Sequence, residues 1–179
     1  LALNLKTLSY EKQSKGKFDA YEKAKGIDSL EERMRSLASA DDKAGKLYQT
    51  FFAQLFSYVA NRIPEISDEI YRIDDAIKSG FGWKRGPFES WDILGLEKFI
   101  GLIKEEGLSV PTWVEELSKS EEPSFYKIAG GKRHYYDIES GTHKEVPGAS
   151  SQLDLDDLRV NNTIWSNTGT TIIDLGMVY

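Results

Sequence analysis

Two adjacent carboxylates, Asp74 and Asp75, could share general acid–base work if both reached one substrate atom. They lie beside a stripe of isoleucines at helical spacing. Adjacent residues on a helix point about 100° apart, so the two carboxylates diverge. The spacing therefore favours surface solvation, or capping of a neighbouring turn, over a catalytic pair.

The chain has two histidines, His134 and His143, in a stretch that looks like a β-hairpin. Histidine is a common metal ligand and general base, but neither histidine has a carboxylate at a recognisable metal-ligand spacing. We interpret both as structural or exposed side chains, and we expect no metal.

A stretch rich in glycine and aromatic residues, 80–92, is the most unusual part of the sequence. Its glycines follow the pattern G-x-G-x-x-x-G, with Arg85 where a dinucleotide-binding loop needs its third glycine, and they follow a helix rather than a strand. We therefore reject a dinucleotide site here. The aromatic residues predict a tight turn clamped against the core or against a partner, because each can bury a large area.

Other catalytic signatures are missing from the sequence. It contains no cysteine, which excludes disulfides, a thiol nucleophile and cysteine-bound metals. It has no phosphate loop and no G-x-S-x-G motif. Arg62 and the pair Lys84-Arg85 could meet an anionic group, as could any exposed basic residue. From its residues alone, the chain resembles a helical module without a complete active site.

The composition of the chain restricts the functional classes that remain. The chain has 179 residues, 40% hydrophobic residues and a net charge of −6, which suits a globular domain and argues against general binding of nucleic acid or anionic membranes. No apolar run approaches the roughly 20 residues of a membrane span, and no signal peptide is visible. The sequon Asn161-Asn162-Thr163 is interpreted as accidental, and the cytoplasm is the expected location. Neither end looks natural, so we expect a piece of a longer protein.

Hydrophobic periodicity predicts helices through the first two thirds of the chain. Residues 1–28 read as an arm with scattered apolar anchors. Ser29 and Glu32 form a capping box for the first helix. The aromatic-rich second helix is expected to be core on most sides, and Gly80 is expected at the C′ position of the third. The predicted helices cover about residues 30–37, 43–62, 67–79 and 87–94, then one from Leu96 to Gly107 and one opened by Pro111.

The last third of the sequence has β character. Alternation predicts a hairpin from residues 124–128 and 133–137, with a possible third strand at 143–146. A linker at 147–151 and a short helix near 153–158 are expected to follow. Residues 163–165 and 171–175 read as a further strand pair.

Three segments together resemble the C-terminal helical domain of 3-hydroxyacyl-CoA dehydrogenases. They are Asn61-Arg62-Ile63-Pro64-Glu65-Ile66, then Ile73-Asp74-Asp75-Ala76, then Gly80-Phe81-Gly82-Trp83 with Gly86-Pro87-Phe88-Glu89 and Trp91-Asp92. The last block is the most specific string, and the similarity is strongest through residues 41–95. It is closest to the subgroup in which the dehydrogenase precedes an enoyl-CoA hydratase in one polypeptide. In that subgroup, Ser124-Phe125-Tyr126-Lys127 and Arg133-His134-Tyr135-Tyr136 look like the connector to the hydratase.

The resemblance implies a mainly α fold, a multi-helix domain like the C-terminal domain of 6-phosphogluconate dehydrogenase, with a small β-hairpin connector at its C-terminal end. It implies a connector arm and first helix at 1–40, the helical domain at 41–120, and a hairpin connector plus the start of the hydratase at 121–179.

The resemblance further implies that the parent protein uses NAD to oxidise L-3-hydroxyacyl-CoA in fatty-acid β-oxidation. The NAD site and the catalytic residues would lie elsewhere in that parent, so the isolated chain would hold no cofactor and be inactive. Its partners would be the Rossmann and first helical domains, the hydratase domain and, in the parent, the acyl-CoA substrate. The candidate motif and interdomain residues are Asp74, Gly80, Phe81, Gly82, Trp83, Gly86, Pro87, Phe88, Trp91 and Asp92.

At two places the sequence departs from the family pattern, and there the resemblance implies no role for the residues. Asn61-Arg62 looks like the family's catalytic asparagine, but Asn61 is only thirteen residues before Asp74, whereas in the family the asparagine lies much further upstream. We therefore assign no catalytic role to Asn61. Asp174-Leu175-Gly176-Met177 lacks the Asp-Gly that usually follows in the hydratase.

The alternative hypothesis is a stand-alone helical interaction module. In that case Phe81, Trp83, Phe88 and Trp91 would grip a protein partner.

Overall fold

The computed structural model describes residues 1–12, 16–148, 163–167 and 169–174. In these ranges the chain is mainly helical with short antiparallel strands, which confirms the predicted fold class. The helices are α1 (Asp19–Lys25), α2 (Leu30–Ala38), α3 (Lys43–Asn61), α4 (Ile70–Phe81), α5 (Pro87–Leu94), α6 (Leu96–Glu105) and α7 (Thr112–Ser118). The strands are β1 (Ala2–Asn4), β2 (Ser9–Glu11), β3 (Tyr126–Ala129), β4 (Lys132–Asp137), β5 (Thr142–Glu145), β6 (Thr163–Ser166) and β7 (Thr171–Ile173). None of the described helices is both long and apolar enough to cross a membrane.

The chain divides into two compact units, Leu1–Phe51 and Phe52–Tyr179. In the first unit, β1 and β2 form a hairpin whose turn is held by Asn4, since its Oδ1 accepts hydrogen bonds from the amides of Lys6 at 2.9 Å and Thr7 at 3.3 Å. Residues 1–28, which the sequence predicts as an arm with scattered apolar anchors, contain this hairpin and α1. A side chain that accepts hydrogen bonds from nearby amides can form such a turn, and this type of turn leaves no hydrophobic pattern in the sequence.

Local capping positions the helices of the first unit. Ser29 Oγ accepts a hydrogen bond from the Glu32 amide at 3.3 Å, which is the Ser29 half of the predicted capping box of α2. Asp42 accepts from the amides of Gly45 at 2.9 Å and Ala20 at 3.0 Å, which ties the start of α1 to the start of α3. The buried apolar residues of this unit are Ala20, Ala24, Met34 and Ala38.

The second unit has an aromatic core. The Phe56 ring on α3 stacks on Trp91 of α5 with 4.7 Å between ring centroids and meets Phe99 of α6 edge-on at 5.1 Å. Phe125, just before β3, lies 5.1 Å from both Phe88 and Trp91. The β-sheet and the helices are therefore joined through one cluster of rings.

Helix α3 is buried on a narrower face than its sequence predicts. Phe52, Phe56 and Val59 are buried together with small alanines, whereas Leu47, Phe51 and Tyr58 are exposed. The prediction that α3 is buried on most of its sides is therefore wrong for Leu47, Phe51 and Tyr58. Periodicity identifies the apolar positions of a helix but not which neighbours are present to cover them.

Helix α4 starts and ends later than predicted. Ser67 Oγ accepts from the Glu69 amide at 3.2 Å, so the chain turns there and the helix begins at Ile70. Gly80 lies inside the helix, and Gly82, with φ of 67°, is the left-handed residue that ends it. Glycine takes this conformation without a Cβ penalty, and either glycine was a possible end from sequence.

The predicted hairpin and third strand form an antiparallel sheet in the order β3-β4-β5. Tyr126 pairs with Tyr135, and Tyr136 pairs with His143. Strands β6 and β7 pair as a separate antiparallel hairpin. The predicted helix near 153–158, and residues 149–151 of the predicted linker, lie outside the described residues.

Candidate functional site

The buried half of the glycine–aromatic stretch is organised by Asp74 of α4. Its Oδ1 accepts a hydrogen bond from the Phe88 amide at 2.9 Å, and its Oδ2 accepts from the Glu89 amide at 3.0 Å. The hydroxyl of Tyr126 on β3 donates to Oδ2 at 2.9 Å. These amides open α5 and have no partner within their own helix. Asp74 is therefore a cap for α5, supplied from another helix.

Capping of α5 by Asp74 is one of the two roles that the sequence favours for the adjacent pair Asp74 and Asp75. The side chain of Asp74 is buried, with 1% of the residue exposed. Asp75 is exposed and pairs with Lys78 at 3.0 Å. The two neighbouring acids thus have separate structural roles, one capping and one on the surface.

Gly86 makes the approach of Asp74 possible. A Cβ at this position would overlap the Asp74 Cβ and Cγ, closer than real Cβ contacts allow. Pro87 follows as the first residue of α5, where its missing N–H costs nothing. The glycine–proline pair of the motif therefore serves the packing of α4 on α5.

Glu89 completes the start of α5. It accepts from the Gly86 amide at 2.6 Å and from Lys78 at 2.9 Å, and it also pairs with Arg133 of β4. Burial opposes ionisation, but Arg133, the Gly86 amide and Lys78 together hold the pKa of Glu89 below its ordinary value. This buried carboxylate is charged and surrounded by its partners.

Asp92 joins α5 to the sheet. Its two oxygens accept from the amides of Phe125 at 2.8 Å and Tyr126 at 2.9 Å. Burial raises the pKa values of Asp74 and Asp92 to about 7, against the opposing hydrogen bonds from backbone amides. A raised pKa near 7 is a feature of many general bases, but here the carboxylate oxygens are already occupied by amides.

The aromatic residues of the motif divide into two groups. Phe88 and Trp91 are fully buried, and the Trp91 indole Nε1 donates to the carbonyl of Leu96 at 3.3 Å. Phe81 is 75% exposed, and Trp83 is partly exposed. The sequence leaves open whether the motif aromatics contact the core or a partner: Phe88 and Trp91 lie in the core, whereas Phe81, the last residue of α4, is exposed.

The two histidines lie away from this network. His143 Nε2 is 2.9 Å from the Ser124 carbonyl, and His134 Nδ1 is 3.0 Å from the Lys132 carbonyl. Among the described residues, no group of three or more histidines and carboxylates could hold a metal ion. Both contacts are with backbone carbonyls, which fits the structural role expected of these side chains.

Sequence reasoning missed the nonlocal partners of the motif. Tyr126 and Arg133 lie in strands, far from Asp74 and Glu89 along the chain, yet they bond to them directly. The signal available in the sequence was the recurrence of acids in the strings IDDA, GPFE and WD. Those strings mark which residues need partners, and only the fold shows where the partners lie.

Comparison with known proteins gives this network a family context. Over 171 residues, 95% of its length, the chain is 35% identical to a protein of Bacillus subtilis (strain 168) named as a 3-hydroxyacyl-CoA dehydrogenase. The chain is related to 3-hydroxyacyl-CoA dehydrogenases. Over 89 residues it is also 30% identical to a Rickettsia felis protein named as a fatty acid oxidation complex trifunctional enzyme, and over 70 residues it is 27% identical to a Rickettsia prowazekii protein of the same name.

The match covers only part of each relative. The chain spans 21% of the length of the Bacillus protein and 12% and 10% of the two rickettsial proteins. No family model matches the chain, and no solved structure matches it. The match therefore covers the part of this chain that holds Asp74, Glu89 and Asp92, while most of that relative's length lies outside the match.

Proposed function

We propose that this chain is a helical, non-catalytic part of an NAD-dependent 3-hydroxyacyl-CoA dehydrogenase that is fused to an enoyl-CoA hydratase. The observation that carries the proposal is the match of nearly the whole chain to one fifth of a dehydrogenase. The proposal is supported by the contacts of the motif acids, which bind backbone amides and form ion pairs, as expected of residues that shape a scaffold.

The parent would oxidise L-3-hydroxyacyl-CoA with NAD and hydrate enoyl-CoA. Residues 41–120 would form the helical domain that packs against the Rossmann and first helical domains, after a connector arm at 1–40. Residues 121–179 would lead into the hydratase. The names of the rickettsial relatives, which refer to a multifunctional fatty acid oxidation enzyme, support a parent with more than one activity.

The test has a negative and a positive arm. The purified chain, given NAD and an L-3-hydroxyacyl-CoA, should form no NADH, and saturable NADH formation would refute the non-catalytic role. For the positive arm, the chain replaces the matching segment of the Bacillus relative. The chimaera should keep dehydrogenase activity, whereas the same relative with the segment deleted should lose it. A folded but inactive chimaera would argue against the dehydrogenase assignment.

A second candidate, the stand-alone interaction module, is favoured by one observation, the exposure of Phe81. In that role the chain would function without any upstream domain. Retained activity of the chimaera would decide against it.

A further inference from the structure

A cavity in the second unit has walls that take no part in the capping network. Its volume is about 410 Å³, which is within the range of small-molecule sites. The walls come from the connection between α3 and α4, the start of α7, and the end of β4 with the turn that follows it. The lining residues are Ile63, Pro64, Asp68, Trp113, Asp137, Ile138 and Glu139. Loops held by helices and a sheet are a common setting for binding.

Part of the cavity wall is apolar. Ile63 is buried, Ile138 is half-buried, and Pro64 is exposed. The Trp113 ring stacks on Tyr136 of β4, with 6.5 Å between ring centroids. An apolar group placed against these side chains would be removed from water together with them, which favours binding. The walls therefore favour a ligand with a hydrocarbon part.

The indole of Trp113 carries a donor without a partner. Its Nε1 is buried and has no hydrogen-bond acceptor among the described residues. By contrast, the buried Nε1 of Trp91 donates to the Leu96 carbonyl at 3.3 Å. A buried indole N–H usually has a partner, and a buried donor left unpaired lowers stability. A hydroxyl or carbonyl oxygen on a bound molecule would supply the acceptor that Trp113 lacks.

The mouth of the cavity is negatively charged. Asp68 and Glu139 are exposed there, and neither forms an ion pair among the described residues. Two cations lie beside the mouth, but each is paired: Lys144 contacts Asp137 at 2.6 Å, and Arg72 contacts Glu69. A cationic group at the mouth would therefore meet two carboxylates that have no ion-pair partner, whereas an anion would be repelled.

We propose that this cavity binds a small amphipathic amine that also carries a hydroxyl or carbonyl oxygen. The apolar group lies against Ile63, Pro64 and Ile138, and the protonated amine lies between Asp68 and Glu139. The oxygen accepts a hydrogen bond from Trp113 Nε1. A purely apolar molecule would desolvate the two carboxylates without compensation.

This site is separate from the chemistry of the proposed parent enzyme. NAD and acyl-CoA carry several phosphate charges, which the acidic mouth disfavours. None of the lining residues belongs to the glycine–aromatic motif. The proposal therefore does not depend on the dehydrogenase assignment.

NMR titration with three matched probes tests the ligand class. The chain has four tryptophans, and Trp113→Phe identifies which indole N–H signal belongs to Trp113. Phenylalaninol, with a phenyl ring, an ammonium group and a hydroxyl, should shift the Trp113 signal saturably. 3-Phenylpropan-1-ol lacks the amine and 2-phenylethylamine lacks the hydroxymethyl group, so each should bind at least fivefold more weakly. A Trp113 signal that phenylalaninol leaves unmoved, or equal affinity for either analogue, would overturn the proposal.

Removal of the mouth charges tests where the amine lies. Asp68→Asn combined with Glu139→Gln should weaken phenylalaninol binding at least tenfold and leave the affinity for the uncharged 3-phenylpropan-1-ol unchanged. Glu105→Gln combined with Glu121→Gln removes two exposed acids outside the cavity and should change neither affinity. All four acids are exposed, so circular dichroism should show the same helical content in both double variants. If the mouth variant binds phenylalaninol as tightly as the unchanged chain, the proposal fails.

Discussion

Gly86 and Asp74 are in contact so close that position 86 has no room for a side chain. By contrast, Gly80 lies in helical backbone with open space around it. Position 86 therefore requires glycine, whereas position 80 has space for a side chain. The sequence alone does not distinguish these two glycines of the motif.

Alanine substitution separates these two glycines. Gly86→Ala should lower the free energy of unfolding by about 1–3 kcal/mol, the usual range for forcing extra volume into a packed site. Gly80→Ala should be neutral or stabilising by up to about 1 kcal/mol, because alanine is the better helix former. Denaturant unfolding of the two variants measures both changes. Equal losses at the two positions would contradict the close contact at Gly86.

The raised pKa of Asp74 predicts a pH dependence of stability. Its pKa is about 7 in the folded chain and 3.8 in its ordinary state. The folded state therefore binds the proton more tightly. The contribution of this proton binding to the free energy of unfolding is fully present below about pH 4 and is lost as the pH rises through 7. The slope for one group approaches about 1.4 kcal/mol per pH unit between those limits.

Asp74→Asn removes this titration. The difference in unfolding free energy between the two proteins should therefore move in favour of the variant as the pH rises from 5 to 8. Taking the difference cancels groups present in both proteins, such as His143, whose pKa burial lowers. A difference that stays constant over this range would show that Asp74 keeps its ordinary pKa. The measurement is denaturant unfolding at each pH.

At the scale of elements, carboxylates hold the sheet on the helices. Asp92 binds the amides at the start of β3, Asp74 binds the Tyr126 hydroxyl, and Glu89 binds Arg133 of β4. A fourth acid, Glu69, accepts from Tyr135 of β4 at 3.2 Å. The aromatic contacts of Phe125 act beside these polar links.

Asp92→Ala should release the start of β3. Two amides would lose their acceptor, at a cost of about 1–3 kcal/mol for each group left buried and unpaired. Hydrogen exchange at Phe125 and Tyr126 should become faster, with little change in α6. Asp75→Ala, which removes an exposed acid, should change stability by no more than about 0.5 kcal/mol. Unchanged exchange at Phe125 in the Asp92 variant would refute its role as a link.

The sequence predicted which helices and strands exist better than it predicted where they end and which side chains they contact. The helices from Leu30 to Leu94 and the β3–β5 sheet were found, because periodicity and turn residues are local signals. The end of α4 at Gly82 rather than Gly80 was missed, since both glycines allow a left-handed turn. The contact of Asp74 with Tyr126 was missed because it joins residues that only the folded chain brings together.

At the scale of the whole molecule, the two units differ in what they bury. The first unit, Leu1–Phe51, buries three alanines and one methionine among its described apolar residues, whereas the second buries a cluster of aromatic rings. Burial of apolar area stabilises by about 25 cal/mol per Å², so small side chains contribute less. The first unit is therefore expected to open more easily.

Native-state hydrogen exchange should detect this difference. The amides of α2 should exchange at least tenfold faster than those of α6, where Leu96, Phe99 and Ile103 are buried. A tenfold ratio corresponds to about 1.4 kcal/mol of opening free energy. Met34→Ala should speed exchange in α2 while leaving α6 unchanged. Equal protection of the two helices would mean that the chain opens only as a whole.

The three buried acids of the motif also bear on what their sequence string can mean in a related chain. Asp74, Glu89 and Asp92 bind backbone amides at the starts of α5 and β3, so their contribution to folding does not depend on any reaction. A duplicated copy that no longer turns over substrate would keep the string GPFE-x-WD as long as it keeps its shape. The string therefore marks ancestry and architecture, and the loss of catalysis in a descendant would leave it intact.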